Sequence, residues 1–549
     1  MTVTMDEPLG GISDPPEATR GRVVMLVDNG VDGDSRVQKA ARSAAAAGWE
    51  VTLLGVAHPN ARRVSWRLGQ AEVKLVRTRR PLFTHHSKLR WSPRRPLAYS
   101  STALAANRRQ TVAGRYNDVH FRIAELAAAR RAGAGRGAEL AGLLRLLPGR
   151  ALLKIQSRWV RLRTGELRRL TEARGNPHAP LTWAGNGIWR ILRGRRSWRR
   201  LDPSLWDFEL SMSAVIDGLE PDIIHAHDYK MLGVGARAKV RAAARGRTVK
   251  LVWDAHEYVP GLAPFPGWPG WLPAQVGYER EYAPHADAVV TVSPALAELL
   301  RAEHRLRELP AVVMNCPTMI PVQSAVDDEP PRELRADCEI DRATPLIAYG
   351  GGLSVARNTI LLVEALTELP GVHLALVCVP PSERRAAADE HLARARELGV
   401  ADRVHVLPYV PHDQVVSYLS AADVAVSPLL HLPNHEIALS NKFFEYAQAR
   451  LPIVVSDTRT MAATVTETGQ GEVYPAGDLD GYLRAVRAVL SDPDRYRSAY
   501  DRPGRLDEWT WERQAAVLDT VYDSVLPVAP APPRARMPIG TQLRPGSAS

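Results

Sequence analysis

Twice along this chain, short β-branched apolar runs alternate with stretches of helical composition, and that alternation restricts the fold more than any other feature. In the first series RVVMLVD (22–28) ends in the loop NGVDGDS, the helical stretch RVQKAARSAAAAGWE follows, and VTLLGVA (51–57) returns as a second apolar run. Two such runs flanking one helix are the pattern of a βαβ unit, because parallel strands need a crossover between them. AEVKLVR (71–77) reads as a further strand. The pattern breaks over residues 78–208 and resumes with PDIIHAHD (221–228), TVKLVWDAHE (248–257), ADAVVTVS (286–293) and AVVMNCP (311–317). A second series runs through PLIAYG (345–350), VHLALVC (372–378), RVHVLPY (403–409), ADVAVSP (422–428) and PIVVSD (452–457). The expected fold class is α/β: two doubly wound, Rossmann-like domains facing a cleft, with ligands at the carboxyl ends of the strands. The expected limits are 21–317 for the first domain and 345–508 for the second, joined by a linker at 318–344. A helix at 509–526 is expected to pack back, and 1–20 and 527–549 read as disordered tails.

Charge separates the break from the rest. Residues 77–200 hold 29 Lys and Arg against 5 Asp and Glu, a local excess of +24 in a chain of formal net charge +11, so the remainder is acidic at −13. The 78–208 segment is therefore expected to be a basic helical insertion. Its tryptophans and arginines, WVRLR (159–163) and WRILRGRRSWRR (189–200), suit the interface of an anionic membrane. A solvated helical cap fits as well, and nucleic acid is the least favoured partner. Three cysteines, Cys316, Cys338 and Cys378, lie far apart without CxxC spacing, which excludes a disulfide framework and a Cys-based zinc site. No apolar stretch is long enough to span a membrane, and the first 20 residues hold acids and prolines rather than a leader's apolar core. The expected location is the cytoplasm, with peripheral attachment at the inner face of the plasma membrane.

Two constellations carry chemistry. At the head of the second series stands YGGGLSVARN (349–358), followed by TILLVEAL. Glycines between a strand and a helix expose backbone N–H groups beside the positive end of a helix dipole, an arrangement that binds phosphate. Arg357 adds a permanent charge able to grip a diphosphate through two hydrogen bonds. The plain alternative is a tight turn whose glycines only reverse the chain. The second constellation is SPLLHLPNHEIALSNKFFEYAQARLPIVVSD (427–457), where Lys442 and Glu445 share one helical face. Lys442 is the only lysine after residue 250, so lysine here is not background. A carboxylate at a sheet's carboxyl edge suits the paired hydroxyls of a ribose, and a lysine suits a phosphate or leaving group. A surface ion pair, worth about 0.3–0.5 kcal/mol, is the alternative.

The succession GGLSxxRN, NKxFEY and ARLPIVVSD, in this order, resembles glycosyltransferase family 4 of the GT-B fold. DSRVQKAARSAAAAGWEVTLL, DIIHAHD, DAHEYVPG and ADAVVTVSPAL are similar to the same family's amino-terminal half, so the resemblance covers 22–77 and 209–525. It implies transfer of a sugar from a nucleotide diphosphate to an acceptor, with retention of anomeric configuration and without a metal or other cofactor. The partners implied are a nucleotide sugar in the carboxyl-terminal domain and a sugar or lipid-linked acceptor against the amino-terminal one. By the resemblance, Gly351, Gly352 and Arg357 hold the diphosphate, Glu445 the ribose, and Asn441 and Lys442 the donor phosphates or sugar. His227, the second histidine of HAHD, sits near the transferring sugar, so His227, Lys442 and Arg357 form the expected catalytic set. Two departures stand out. Gly352 occupies a position where many relatives have arginine, and Ile437 one where they commonly have glutamate, with Glu436 beside it. A sugar-nucleotide 2-epimerase of similar fold, or a GT-B protein degenerated to binding alone, is the competing implication.

On the acceptor side, Gly30 and Gly33 are expected to let the first loop approach the acceptor, with Asp34 beside them. Asp32-Gly33-Asp34 also has the DxD spacing of metal-dependent sugar transferases, against which stands a turn with Asp34 or Ser35 capping the next helix. His256 and Glu257 divide between acceptor contacts and loop hydrogen bonds. His225 is expected to pack inside its strand. His412, His431 and His435 would form a metal cluster only if the fold brought them together.

Overall fold

Runs of valine, leucine and isoleucine with no polar alternation must be covered on both faces, which is the condition of a parallel sheet between helical layers. The computed structural model describes residues 19–58, 61, 63–78, 82, 97–99, 102–133, 135–171, 194–263, 270–319, 332–378 and 385–526. Among the described residues, the first half forms a sheet of eight strands: β1 (Arg22–Leu26), β2 (Glu50–Ala57), β3 (Ser65–Leu68), β4 (Ala71–Arg77), β5 (Ile223–His227), β6 (Lys250–Ala255), β7 (Ala288–Thr291) and β8 (Ala311–Val312). Their spatial order is β3-β4-β2-β1-β5-β6-β7-β8, parallel throughout except for the β3–β4 pair. The second half forms a parallel sheet of six in the order β11-β10-β9-β12-β13-β14. Its strands are β9 (Leu346–Gly350), β10 (His373–Val377), β11 (Val404–Leu407), β12 (Val424–Ser427), β13 (Ile453–Ser456) and β14 (Gly471–Tyr474).

Strand order reverses beside β1, between β2 and β5, and beside β9, between β10 and β12. Helices leave those neighbouring strands in opposite directions, so a crevice opens beyond the carboxyl ends of the central strands. Seven helices frame the site and its surroundings: α1 (Ser35–Ala46), α2 (Thr102–Arg131), α3 (Arg136–Thr171), α4 (Asp228–Ala244), α5 (Pro433–Ile437), α6 (Asn441–Gln448) and α7 (Trp511–Val525). Val37, Ala40, Ala41, Ala44 and Ala45 give α1 one apolar face, buried in the same cluster as β1 and β2. Trp511, Leu518 and Tyr522 of α7 enter that cluster although they come from the end of the described chain. Arg20 fixes α7 from outside through Asp519 at 2.9 Å and Asp523 at 2.5 Å. Helices α2 and α3 lie within the break in the sheet pattern. Among the described residues, no helix is long and apolar enough to cross a membrane. Both expected tails fall almost wholly outside the described residues, as do 320–331 of the linker and 172–193 of the insertion.

Candidate active site

A cavity of about 400 Å³ lies between the two halves, where the carboxyl ends of the sheets face each other. His256, Glu257, Leu262 and Val292 line it from the first half, and Tyr349, Gly350, Arg357, Ile437, Lys442 and Tyr446 from the second. Hydrogen bonds tie its walls together: Tyr258 N–H donates to Asn434 Oδ1 at 2.8 Å, Asn434 Nδ2 donates back to the Tyr258 carbonyl at 3.1 Å, and Ser293 Oγ donates to the Ile437 carbonyl at 2.7 Å. The halves approach so closely here that a Cβ on Gly261 would stand 2.7 Å from Pro433 Cβ.

The glycine loop is wired internally more tightly than its sequence implies. Gly350 N–H donates to Tyr446 Oη at 2.8 Å, and Gly351 N–H to the Val377 carbonyl at 3.0 Å. Tyr349 Oη donates to the Gly352 carbonyl at 2.9 Å. The expectation that the Gly351 N–H binds phosphate is therefore corrected, because that N–H is already partnered within the sheet; neither Gly351 nor Gly352 is among the residues that line the cavity. Gly351 serves otherwise. Its φ of +136° lies where glycine is favoured, and a Cβ there would stand 3.1 Å from Arg357 Nη1. Arg357 thus folds over the loop into the cavity. Ser354 caps its turn, accepting from the Arg357 N–H at 3.3 Å.

On α6, Lys442 Nζ donates to Glu445 Oε2 at 2.9 Å and lies 5.2 Å from the centre of the Tyr409 ring. Burial lowers the Lys442 pKa, but the Glu445 carboxylate and the Tyr409 phenol outweigh it and hold the ammonium charged. Tyr446, one turn beyond Lys442, lies on the same helical face. That spacing was the available signal for a residue which the sequence reading missed. Asn441 opens the helix between Ser440 and Lys442, which line the cavity, but is not itself among the lining residues. Glu436 and its neighbour Ile437 turn to different sides. Glu436 points away, taking His431 Nδ1 at 2.5 Å and the Arg459 N–H at 2.8 Å, while Ile437 lines the cavity and packs on the first half's core.

In the first half, β5 and β6 deliver a buried charge network. Asp254 accepts from Arg36 Nε at 2.9 Å and from Nη2 at 2.8 Å, so the guanidinium of α1 grips the carboxylate with two bonds. Asp254 Oδ2 also lies 3.7 Å from His225 Nε2, 3.3 Å from His227 Nδ1 and 3.3 Å from His256 Nε2. Burial would raise the Asp254 pKa, yet Arg36 and then His256 hold it well below the usual carboxylate range. Strand periodicity turns His225 and His227 to one face, where their rings stack 4.1 Å apart and Tyr522 Oη lies 2.7 Å from His225 Nδ1. The expectation that His227 faces the reacting sugar is corrected: it is fully buried, and from the first half His256 reaches the cavity instead, with His435 lining it from the second. Gly30, Gly33 and Asp34 do not line the cavity either. Asp34 is the N-cap of α1, accepting from the Val37 N–H at 3.3 Å and from Asn29 Nδ2 at 2.8 Å, which removes the DxD metal reading.

Among the described residues, His225, His227 and Asp254 are the one group of three donors close enough to share an ion. Arg36 already neutralises that carboxylate. His431 instead joins Glu436 and Asp457, and His435 Nδ1 bonds the Leu430 carbonyl at 2.8 Å.

Burial lowers the pKa of both His225 and His227, the latter to about 3, while Asp254 overcomes burial and raises that of His256. In the unfolded chain all three protonate near about 6.5. A histidine held neutral stabilises the fold above that value and weakens it as pH falls; one with a raised pKa does the reverse. Two against one, the melting temperature is expected to fall between pH 7 and pH 5. Differential scanning calorimetry of the wild type and His227→Gln checks this, the variant giving the flatter profile. Equal slopes for the two proteins would contradict the assignment.

Family profiles match both halves, Glycosyltransferase Family 4 over residues 164–317 and Glycosyl transferases group 1 over residues 344–492. The chain belongs to glycosyltransferase family 4. This family 4 protein is 25% identical over 190 residues to the D-inositol 3-phosphate glycosyltransferase of Mycolicibacterium gilvum, across 34% of its own length and 41% of the relative's. It is 25% identical over 326 residues to D-inositol 3-phosphate glycosyltransferase 1 of Catenulispora acidiphila, across 56% and 72%. The match thus spans less than half of the first of these relatives. Sucrose-phosphate synthase from Thermosynechococcus elongatus superposes with a TM-score of 0.58 at 15% identity, covering 93% of this family 4 chain and 100% of the other. An Anabaena protein crystallised with UDP and glucose superposes with a TM-score of 0.50 at 14% identity, covering 92% and 100%. The fold is GT-B.

Proposed function

We propose that this chain transfers a sugar from a nucleoside diphosphate to an acceptor hydroxyl, with retention of anomeric configuration and without a metal ion. The observation that carries the reading is the convergence of Arg357 and Lys442 on the cavity between the halves, beside the β9–β12 switch point, with Glu445 paired to Lys442 just behind its wall. Cleaving a sugar–phosphate bond leaves extra negative charge on the diphosphate and oxocarbenium character on the sugar. Arg357 and Lys442 stand ready to meet that charge, and preorganised donors of this kind lower a barrier by about 3 kcal/mol each. Glu445 receives the ribose hydroxyls and orients the donor. The ties between Tyr258 and Asn434 and between Ser293 and Ile437 hold the walls together, which limits the water that would compete as acceptor. His256, whose pKa the Asp254 carboxylate raises, faces the acceptor side together with Glu257. The UDP bound by the Anabaena structure supports a nucleotide-sugar donor, and the names of the curated relatives support sugar transfer. A lipid-linked sugar or envelope glycan precursor is the acceptor class that suits the basic insertion, with the protein peripheral at the membrane.

Release of nucleoside diphosphate from a panel of UDP-, GDP- and ADP-sugars tests the reading. It is expected to depend on added acceptor and to persist in EDTA. Glu445→Ala is expected to raise the donor KM by at least about tenfold, the loss of charged hydrogen bonds to the ribose. Isomerisation of the donor without acceptor would contradict transfer in favour of epimerisation.

A further inference from the structure

Helix α3 buries one face and offers the opposite one to solvent. Leu153, Val160 and Leu167 are buried. On the other side Leu144, Leu147, Leu152, Ile155, Trp159 and Leu162 are 47–64% exposed. At about 100° per residue these six fall within an arc of about 140°, a continuous apolar stripe about 27 Å long. A stripe of that size on the outside of a soluble fold is a contact surface rather than scattered exposure. Its edges are cationic: Arg145 on one side, Arg150, Lys154 and Arg161 on the other, with Arg158 at the border, all exposed. From Arg145 to Arg163 the sequence has six cations and no carboxylate.

The helix is also oriented toward the cleft. Helix α4 starts at the carboxyl edge of the first sheet, directly after His227, and runs away from it. Arg131, closing α2, bonds the Ala243 carbonyl near the end of α4, so these two helix ends lie together, remote from the cleft. Helix α3 returns antiparallel along α2, with Arg115 Nη1 donating to Gln156 Oε1 at 2.6 Å. Its Trp159 and Leu162 end is therefore the end nearer the cleft.

We propose that this face of α3 docks on an anionic lipid surface, the leucines, isoleucine and tryptophan entering the interface while the flanking arginines and lysine meet phosphate headgroups. Charge complementarity selects that occupant, and nucleic acid would have no use for the apolar stripe. The inference rests on the proposed reaction only in supplying a membrane-borne acceptor; the surface itself is tested without substrate.

Co-sedimentation of the full chain with phosphatidylcholine vesicles, with and without phosphatidylglycerol, reads the binding, and nucleotide titration of the same samples reads the donor site separately. The wild type is expected to pellet with the anionic vesicles only and to lose that binding as salt rises. Two triple variants, Leu152→Glu/Ile155→Glu/Trp159→Glu and Arg150→Glu/Lys154→Glu/Arg158→Glu, should each weaken it by about tenfold or more. Their melting temperatures and nucleotide affinity are expected to stay at wild-type values, because the replaced side chains are exposed. Unchanged binding by either variant, equal binding to neutral vesicles, or no vesicle binding by the wild type would overturn the proposal. So would a lipid-free dimer broken by the apolar triple, or a preference for duplex nucleic acid over vesicles.

Discussion

Lys442→Ala is expected to reduce the transfer rate by about 10²–10³-fold, the range for removing one preorganised donor from a developing anion. Arg357→Ala should fall in the same range. The reason lies in where these cations stand. Lys442 is held by Glu445 at 2.9 Å and kept protonated despite burial, so no reorganisation is needed when charge builds on the leaving diphosphate. Arg357 is folded over Gly351 by the same loop that ends β9. Since the charge peaks in the transition state, the loss should appear mainly in kcat, with a smaller change in donor KM. Steady-state kinetics with the preferred donor measures both. A Lys442→Ala enzyme within about threefold of the wild-type kcat would contradict the role.

Asp254→Ala carries the largest expected effect on stability, a loss of about 3–5 kcal/mol. Arg36 and Asp254 are both almost wholly buried, and truncating the carboxylate strands a guanidinium that has lost two charged hydrogen bonds. Replacing both partners with apolar residues of similar size, Arg36→Met with Asp254→Leu, should recover most of that loss, since neither charge is then orphaned. Urea denaturation followed by tryptophan fluorescence reads the difference. A single-variant loss below about 1 kcal/mol would show that the pair is not the fixed point of the first sheet's carboxyl edge. The site feels the same substitution, because Asp254 also raises the pKa of His256.

The strands were legible because most are buried on both faces, so their valine and leucine runs needed no alternation to be recognised. β3 (SWRL) and β14 (GEVY) escaped for the converse reason: each has four residues at a sheet edge, half-exposed and carrying charge. Lys442 and Glu445 could be read from spacing alone, and Tyr446 was within reach of the same argument. Other features depend on contacts distant in the chain. Nothing in GGGLS announces that the Gly351 N–H is already bonded to Val377. Nothing in HAHD says that neither histidine reaches the cleft, although the two-residue strand period places His225 and His227 on one face and so ties their fates. The buried partner of that face, Arg36, comes from a helix that begins 188 residues before β5.

A crystal structure with a nucleoside diphosphate, grown in EDTA, tests the central claim most directly. The account predicts the β-phosphate within hydrogen-bond reach of Arg357 and Lys442, with the ribose hydroxyls on Glu445. Density for the diphosphate away from these groups, or binding that requires a divalent cation, would contradict it.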